Sequence, residues 1–418
     1  MDKIIISGKS HLYGSINVHG AKNSALPILV SSLLSSDNLI LNNIPEVQDI
    51  KNMIKLLNGY GVMIKHHKKT IILNSKDIVN VPADYDIVRK MRASILILGP
   101  LLSRFGSAKI SLPGGCAIGT RPIDIHINSL KKLGADFEIQ NGFVIGKVNK
   151  KITGNRIKLP FPSVGATESI LMCSVLAKGE TLIESAAKEP EVVDLAECLS
   201  SMGAKIEGHG SNKIFVQGVD RLYEAKHEII SDRIVAGTYI IAAIMTGSDL
   251  EINNINTNHL TSLINILKKM GCKLQVNTNS VKVFKANQLK SYKVKTATYP
   301  GFPTDLQAQL MALMSIVEGN SQIKETIFEN RFMHVPELNR LGAKIKVVKD
   351  VAYIEGGKKF KGAPVMASDL RASVSLVLAA LCAEGNTTIN RVYHLDRGYE
   401  RIEDSIGKLG PSIVRKKT

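Results

Sequence analysis

A glycine recurs along this chain at nearly constant spacing, and nothing else in the sequence limits the fold as tightly. It lies in Tyr60-Gly61-Val62, Leu133-Gly134-Ala135, Met202-Gly203-Ala204, Met270-Gly271-Cys272, Leu341-Gly342-Ala343 and Leu409-Gly410-Pro411, at successive spacings of 73, 69, 68, 71 and 68 residues. A second marker keeps step. Asp37, Gly106, Gly179, Gly247, Gly319 and Gly385 each precede an extended segment and stand 23 to 28 residues before the partner glycine. A fixed internal period is the signature of a repeat architecture. The 418 residues read as six units of some 70 residues, and a chain this long exceeds what one hydrophobic core holds, roughly 250–300 residues.

Each unit has the same grammar. A segment before the second marker is apolar nearly all round, as in Ala25-Leu26-Pro27-Ile28-Leu29-Val30, which predicts a buried helix. A strand follows, then an amphipathic helix such as Leu260, Leu263, Ile264, Ile266 and Leu267, ending on a glycine C-cap. Strands close the unit. The last unit departs from this, with only Ser412-Ile413-Val414 after its glycine and Pro411 lacking a strand donor. The N-terminal Met1-Asp2-Lys3-Ile4-Ile5-Ile6 reads as a strand rather than a signal peptide. Six β/α units with apolar helices predict an α/β fold with helices packed inside sheets.

Fourteen residues before each second marker stand Asn23, Arg92, Gly165, Arg233, Asp305 and Arg371, each expected to open a buried helix among small residues. Helix starts carry unpaired N–H groups and partial positive charge, which suit an anion. Lys22 adjoins the first, and three of the six carry Arg. Arg121 and Arg397 each lie thirteen residues before a repeat glycine, at the start expected for an amphipathic helix. Arg is scarce here, 14 of the 54 basic residues, and its planar fork suits carboxylate and phosphate. The periodic set points to a shared central anion site.

The net charge of +17 also suggests anionic partners. Most of it is dispersed Lys, which together with abundant Ile and Asn fits a compositional bias. Nucleic-acid binding would call for aromatics among clustered basic residues. Aromatics are 5% with no Trp, so neither nucleic acid nor an RNA-end-processing repeat protein is the expected partner or identity. No apolar run reaches the ~18 residues of a membrane span. The five cysteines are odd in number and widely spaced, which argues against disulfides and zinc and for a reducing cytosol. Gly8-Lys9-Ser10 lacks the upstream glycine of a P-loop, and no dinucleotide fingerprint, HExxH or GxSxG occurs.

Two residues stand out for chemistry. Cys116 lies in Ser111-Leu112-Pro113-Gly114-Gly115-Cys116-Ala117-Ile118-Gly119-Thr120-Arg121-Pro122, whose glycines and prolines predict a mobile loop. A cation such as Arg121 nearby can activate a thiol, against the plainer reading of an incidental loop cysteine. The other four cysteines read as small buried hydrophobes. Asp305 is the one carboxylate among the six helix starts. It suits an N-cap and equally a general base.

Gly20-Ala21-Lys22-Asn23, Met91-Arg92-Ala93-Ser94, the Pro113-to-Asp124 loop, Phe302-Pro303-Thr304-Asp305, Phe328-Glu329-Asn330-Arg331-Phe332-Met333, Asp369-Leu370-Arg371-Ala372-Ser373 and Asp396-Arg397-Gly398-Tyr399-Glu400 are long and collinear. Through them the chain resembles, over its whole length, the enolpyruvyl transferases of the EPSP synthase family, in the branch serving peptidoglycan synthesis. The resemblance implies a two-domain inside-out α/β barrel with three repeats per domain. One domain would span 22–229 and carry the loop at about 111–122; the other would join 1–21 to 230–418, with the active site in the cleft between them. It implies a cytoplasmic transferase, monomeric, without metal or cofactor. The substrates would be phosphoenolpyruvate and UDP-N-acetylglucosamine, and fosfomycin an inhibitor. Cys116 would protonate phosphoenolpyruvate and Asp305 would deprotonate the sugar 3-hydroxyl. Lys22, Asn23, Arg121 and Arg397 would hold phosphoenolpyruvate, with Lys22 and Arg397 also catalytic. Asn23, Arg92, Arg121, Pro122, Ile123, Asp124, Ile125, Phe161, Pro162, Ser163, Val164, Asp305 and Ile327 would line the sugar-nucleotide site, supported by Arg331, Asp369 and Arg371. Phe161 and Pro162 depart from the family pattern, which leads one to expect a Lys and an aliphatic residue there. The shikimate-pathway enolpyruvyl transferase is the same-fold alternative, and the cysteine loop argues against it. A catalytically inert repeat scaffold would leave Cys116, Asp305 and the Arg set unconstrained.

Overall fold

The computed structural model describes residues 2–83, 85–89, 91–112 and 123–417. They form two compact units, one from the described residues of 20–112 and 123–230, the other from 2–19 with 231–417. Cys116, Arg121 and Pro122 lie outside the described residues.

The repeat glycines are explained by backbone conformation. Gly61, Gly134, Gly203, Gly271, Gly342 and Gly410 all have φ between +86° and +119°, which a side chain disfavours. Each lets the chain reverse from an amphipathic helix into the next strands. Five of the six second markers, from Gly106 to Gly385, have positive φ as well.

Among the described residues the strands form six sheets, one per repeat. The fifth shows the pattern. Asn320–Lys324 runs antiparallel to Val351–Glu355, which pairs in turn with Lys344–Val348. Lys293–Lys295 lies parallel on the far edge of Asn320–Lys324. The helix Gln307–Ile316 connects those two parallel strands, as a parallel crossover requires. In the first repeat the parallel strand is Ala225–Glu228, which returns from the end of the same unit to pair with Asn38–Asn42. In the fourth it is Ser15–Asn17, paired with Leu250–Asn253.

The sixth repeat is completed from the N-terminus. Lys3–Ser7 lies between Asn386–Asn390 and Ile413–Lys416, antiparallel to both. It takes the place that Val351–Glu355 holds in the fifth repeat and Lys213–Gln217 in the third. The residues after these strands confirm the equivalence. Gly8, Gly218 and Gly356 donate to Gly385, Gly179 and Gly319 at 2.9–3.0 Å. A Cβ on any of the three would overlap the carbonyl oxygen two residues before that partner, in Ala383, Ala177 and Val317. Pro411 precedes the strand Ile413–Lys416, so it interrupts no ladder.

Lys22–Ser31, Val164–Ser174, Arg233–Met245, Gln307–Ile316 and Ala372–Cys382 are buried on nearly every side. Each fully buried Leu, Ile, Val or Met in them contributes about 1.5–3 kcal/mol, so these helices are the core around which the sheets wrap. The second repeat differs. Its buried segment is split into a 3-10 stretch, Arg92–Ile97, and a helix, Leu98–Phe105, whose last residues reach solvent. No helix among the described residues is long and apolar enough to cross a membrane.

Candidate active site

Among the described residues of the whole chain, Lys22 is the one buried lysine, and Arg331 and Arg371 are the buried arginines. A buried cation demands a partner, and each has a carboxylate.

In the unit of residues 20–230, Lys22 is the first residue of its helix, and its Nζ lies 3.3 Å from Asp49 Oδ2. Asp49 sits in the first turn of the amphipathic helix Gln48–Gly59 and is itself buried. Asn23 follows, half-buried. The Ser24 hydroxyl donates to Asp194, whose other oxygen lies 2.7 Å from His227 Nε2. The carboxylate stands in the middle of that trio, so it does not form a nucleophilic triad, which needs the imidazole there. It braces the start of the Lys22 helix against the strand Ala225–Glu228.

Arg92 opens its 3-10 stretch and is half-buried. The Arg92 guanidinium acts on His126, whose Nδ1 lies 2.8 Å from Ser169 Oγ. Gly165 was expected to admit an anion to the backbone. What it makes room for is this imidazole: a Cβ at 165 would come within 3.0 Å of His126 Cε1. Ile123 and Ile125 are half-buried beside an exposed Asp124. Ser163 caps the helix Val164–Ser174 by accepting from the Ala166 N–H at 3.4 Å. Pro162 and Val164 are half-buried, whereas Phe161 is 55% exposed. The ring therefore lies largely in solvent at the position where a Lys was expected.

In the other unit, Asp305 is the centre. It lies in the 3-10 turn Thr304–Leu306, where Pro303 is the N-cap, so the N-cap reading of Asp305 is not realised. Its Oδ1 accepts from Arg331 Nη2 at 2.7 Å, and its Oδ2 is 3.4 Å from Arg371 Nε. Arg371 also faces Asp232 at 3.8 Å and the ring of Tyr399 at 5.8 Å. Those two carboxylates raise the Arg371 pKa, overcoming the burial that lowers it. Two guanidiniums and two carboxylates thus sit in near balance. Gln309, wholly buried, donates to the Asp305 carbonyl at 3.0 Å and to Thr238 Oγ1 at 3.2 Å, and Thr238 meets Tyr399 OH at 3.0 Å.

Asp369 accepts from the Arg371 and Ala372 N–H groups at 2.8 and 2.9 Å, which fixes the start of the helix Ala372–Cys382. Arg371 is the N-cap of that helix. Ile327 is half-buried, and its N–H donates to Glu325 Oε1 at 2.8 Å. Arg397 does not open the amphipathic helix as its spacing suggested. It closes the short helix Tyr393–Asp396, five residues before Ile402–Gly407 begins. Gly398 allows this turn to pack closely, since a Cβ there would overlap the Leu370 side chain.

Sequence reasoning missed the groups that hold these residues in place. Glu325, 3% exposed, accepts from the Thr296 and Thr304 hydroxyls at 3.0 and 2.9 Å and from two backbone N–H groups. It ties the residue beside Asp305 to the segment leading to Arg331. Asp49, Asp232 and Gln309 were missed too. Their only signal is a polar residue at a core position of the repeat.

The described cysteines are chemically quiet. Burial pushes the Cys173, Cys272 and Cys382 thiols up to about 12, and Cys198 higher still. Two histidines go the other way. Burial, with Arg92 adding, pushes His126 down to about 4. Burial, with the Arg331 charge adding and both Asp369 and the Arg331 backbone opposing, does the same to His334, which is wholly buried. Both are neutral in the fold at pH values where the unfolded chain, with a pKa near 6.5, is protonated. Between about pH 4 and 6.5 the unfolded state binds more protons, so stability rises with pH there. Each histidine adds up to about 1.4 kcal/mol per pH unit to that slope. Denaturant unfolding from pH 4.5 to 7.5 should show a shallower slope for His126→Asn than for the parent; an equal slope would contradict the assignment.

The profile of the EPSP synthase (3-phosphoshikimate 1-carboxyvinyltransferase) family matches residues 6–406. A UDP-N-acetylglucosamine 1-carboxyvinyltransferase of Azorhizobium caulinodans is 50% identical, with 99% of each chain covered. One of Granulibacter bethesdensis is 49% identical, again over 99% of each. Among solved structures, the enolpyruvyl transferase NikO from Streptomyces tendae superposes with a TM-score of 0.91 at 23% identity, over 99% of this chain and 98% of that one. EPSP synthase from Acinetobacter baumannii gives 0.77 at 18% identity, over the full length of both. These two likenesses show a shared fold, the two-domain α/β inside-out barrel.

Proposed function

Because this chain belongs to the EPSP synthase family, we propose that it transfers the enolpyruvyl group of phosphoenolpyruvate to the 3-hydroxyl of UDP-N-acetylglucosamine, releasing phosphate. The observation that carries this reading is the full-length identity of 49–50% to transferases of that name. The placement of the buried cations Lys22 and Arg371 at helix starts supports it.

The chemistry divides among few groups. Both substrates are multiply anionic, and Lys22, Arg121 and Arg397 hold the phosphate and carboxylate of phosphoenolpyruvate, with Asn23 beside them. Cys116 delivers a proton to the methylene carbon, which leaves the adjacent carbon electron-poor. Asp305 takes the proton of the sugar 3-hydroxyl as its oxygen bonds to that carbon. The resulting tetrahedral ketal then returns a proton from its methyl group to the Cys116 thiolate while the carbon–oxygen bond to phosphate breaks. The double bond re-forms, and the phosphate leaves with the proton held by Asp305. Fixed cations and helix-start dipoles stabilise the charge that develops, without reorganising during the step.

Arg92, Ile123, Asp124, Ile125, Phe161, Pro162, Ser163, Val164 and Ile327 contact the sugar nucleotide. With Phe161 in place of a cation, binding at that point rests on neighbouring backbone. Arg331 and Arg371 hold Asp305 in place, and Asp369 fixes the helix start that carries Arg371. The enzyme works in the cytoplasm as a monomer, and fosfomycin inactivates it through Cys116.

The test is a phosphate-release assay on the purified chain. Release is expected only when phosphoenolpyruvate and UDP-N-acetylglucosamine are both present. Release with shikimate 3-phosphate in place of the sugar nucleotide would transfer the chain to the shikimate-pathway activity.

A further inference from the structure

The strand Ile413–Lys416 carries an inward charge. Alternation exposes Val414 and turns Ile413 and Arg415 toward the protein. Arg415 is only 15% exposed along its side chain, and it is surrounded by acids. Its guanidinium grips Asp396 bidentately, with Nη2 to Oδ1 at 2.5 Å and Nη1 to Oδ2 at 3.2 Å. Its Nε is 3.0 Å from buried Glu403, and Nη1 is 3.6 Å from Asp2.

An inward charge on an edge strand can serve only to discourage pairing with another chain. That purpose needs no particular partner, and a lysine would fulfil it. Here the fork meets the last residue of the helix Tyr393–Asp396, and the next residue is Arg397. The following turn is close-packed, with Gly398 against Leu370 and Tyr399 under the Arg371 guanidinium. A displaced Asp396 would carry Arg397 with it, because Gly398 has no room to give.

We propose that Arg415 is a positioning residue for Arg397: through its fork to Asp396 it sets where Arg397 meets the anionic groups of phosphoenolpyruvate. The inference rests on the functional reading above and goes beyond it, because it makes phosphoenolpyruvate recognition depend on the strand Ile413–Lys416.

Two substitutions break the fork from opposite sides while keeping the fold. Arg415→Lys keeps the charge near Glu403 but loses the bidentate geometry, and Asp396→Asn keeps the shape but weakens the grip. Each should raise the KM for phosphoenolpyruvate by about tenfold to a hundredfold, the scale of small misplacements of a binding group. The KM for UDP-N-acetylglucosamine should stay within about twofold, and the double variant should be little worse than either single. Calorimetric binding of phosphoenolpyruvate gives an independent readout: in an Arg397→Met background, Arg415→Lys should have little further effect. An unchanged phosphoenolpyruvate KM would overturn the proposal. So would losses in both KM values that follow a lowered thermal midpoint, or an undiminished effect without Arg397. Failure of the parent chain to consume phosphoenolpyruvate would strike the functional reading itself. It is told apart because it appears before any substitution.

Discussion

Asp305→Asn should lower turnover by about 10²–10⁴-fold, the usual contribution of one positioned general base. The amide has nearly the same shape and can still accept from Arg331, which now bonds Oδ1 at 2.7 Å. It cannot take a proton from the sugar hydroxyl at neutral pH. The substitution also removes one of the two carboxylates facing Arg371; breaking a fully buried ion pair costs about 3–5 kcal/mol, and the cost here is smaller because the Asp305 side chain is 24% exposed. The two effects are separable. Thermal unfolding reads the second, and single-turnover phosphate release on folded protein reads the first. The KM for phosphoenolpyruvate should change little, because the cations assigned to that substrate remain. A folded Asp305→Asn chain with the parent's single-turnover rate would take Asp305 out of proton transfer.

The second large effect is expected at Cys116. A thiol with an ordinary pKa near 8.5 can deliver a proton near neutrality, but a serine hydroxyl cannot. Cys116→Ser should therefore lose about 10²–10⁴-fold in turnover. Cys116→Asp should keep much of the activity, because a carboxylic acid can supply the proton. It should also escape fosfomycin, whose epoxide needs a thiolate to attack. Steady-state phosphate release with and without fosfomycin separates the pair. Full sensitivity in Cys116→Asp would move the reactive thiol elsewhere, yet the described alternatives are poor. Cys173, Cys198, Cys272 and Cys382 all have thiol pKa values pushed up by burial.

Much of this was legible in the residues. The glycines announced themselves because a positive φ leaves little choice of residue, so their spacing carried the repeat directly. Five of the six helix starts were found within a residue or two for a similar reason: a helix buried on all sides must be apolar all round, which needs no knowledge of its neighbours; in the second repeat Arg92 opens a 3-10 stretch and the helix begins only at Leu98. Arg397 was misplaced because counting back from a glycine assumes equal helix lengths. The sixth repeat instead breaks its helix into Tyr393–Asp396 and Ile402–Gly407. Gly165 was misread because its smallness serves a side chain from another helix, His126, at no fixed distance in sequence.

The sequence alone determined the number of repeats, the burial of their helices and which scarce cations to examine, because these follow from local periodicity and backbone preference. Only the tertiary structure decided that Lys3–Ser7 completes the sixth sheet, 379 residues from its partner strand at Asn386. It alone decided that Asp305 faces two guanidiniums instead of capping its helix. It alone gave Lys22 to Asp49 and Arg415 to Asp396. The reason is physical. A buried charge must find an opposite charge or a set of dipoles wherever the fold brings one, and that choice depends on distances in space that spacing along the chain does not encode.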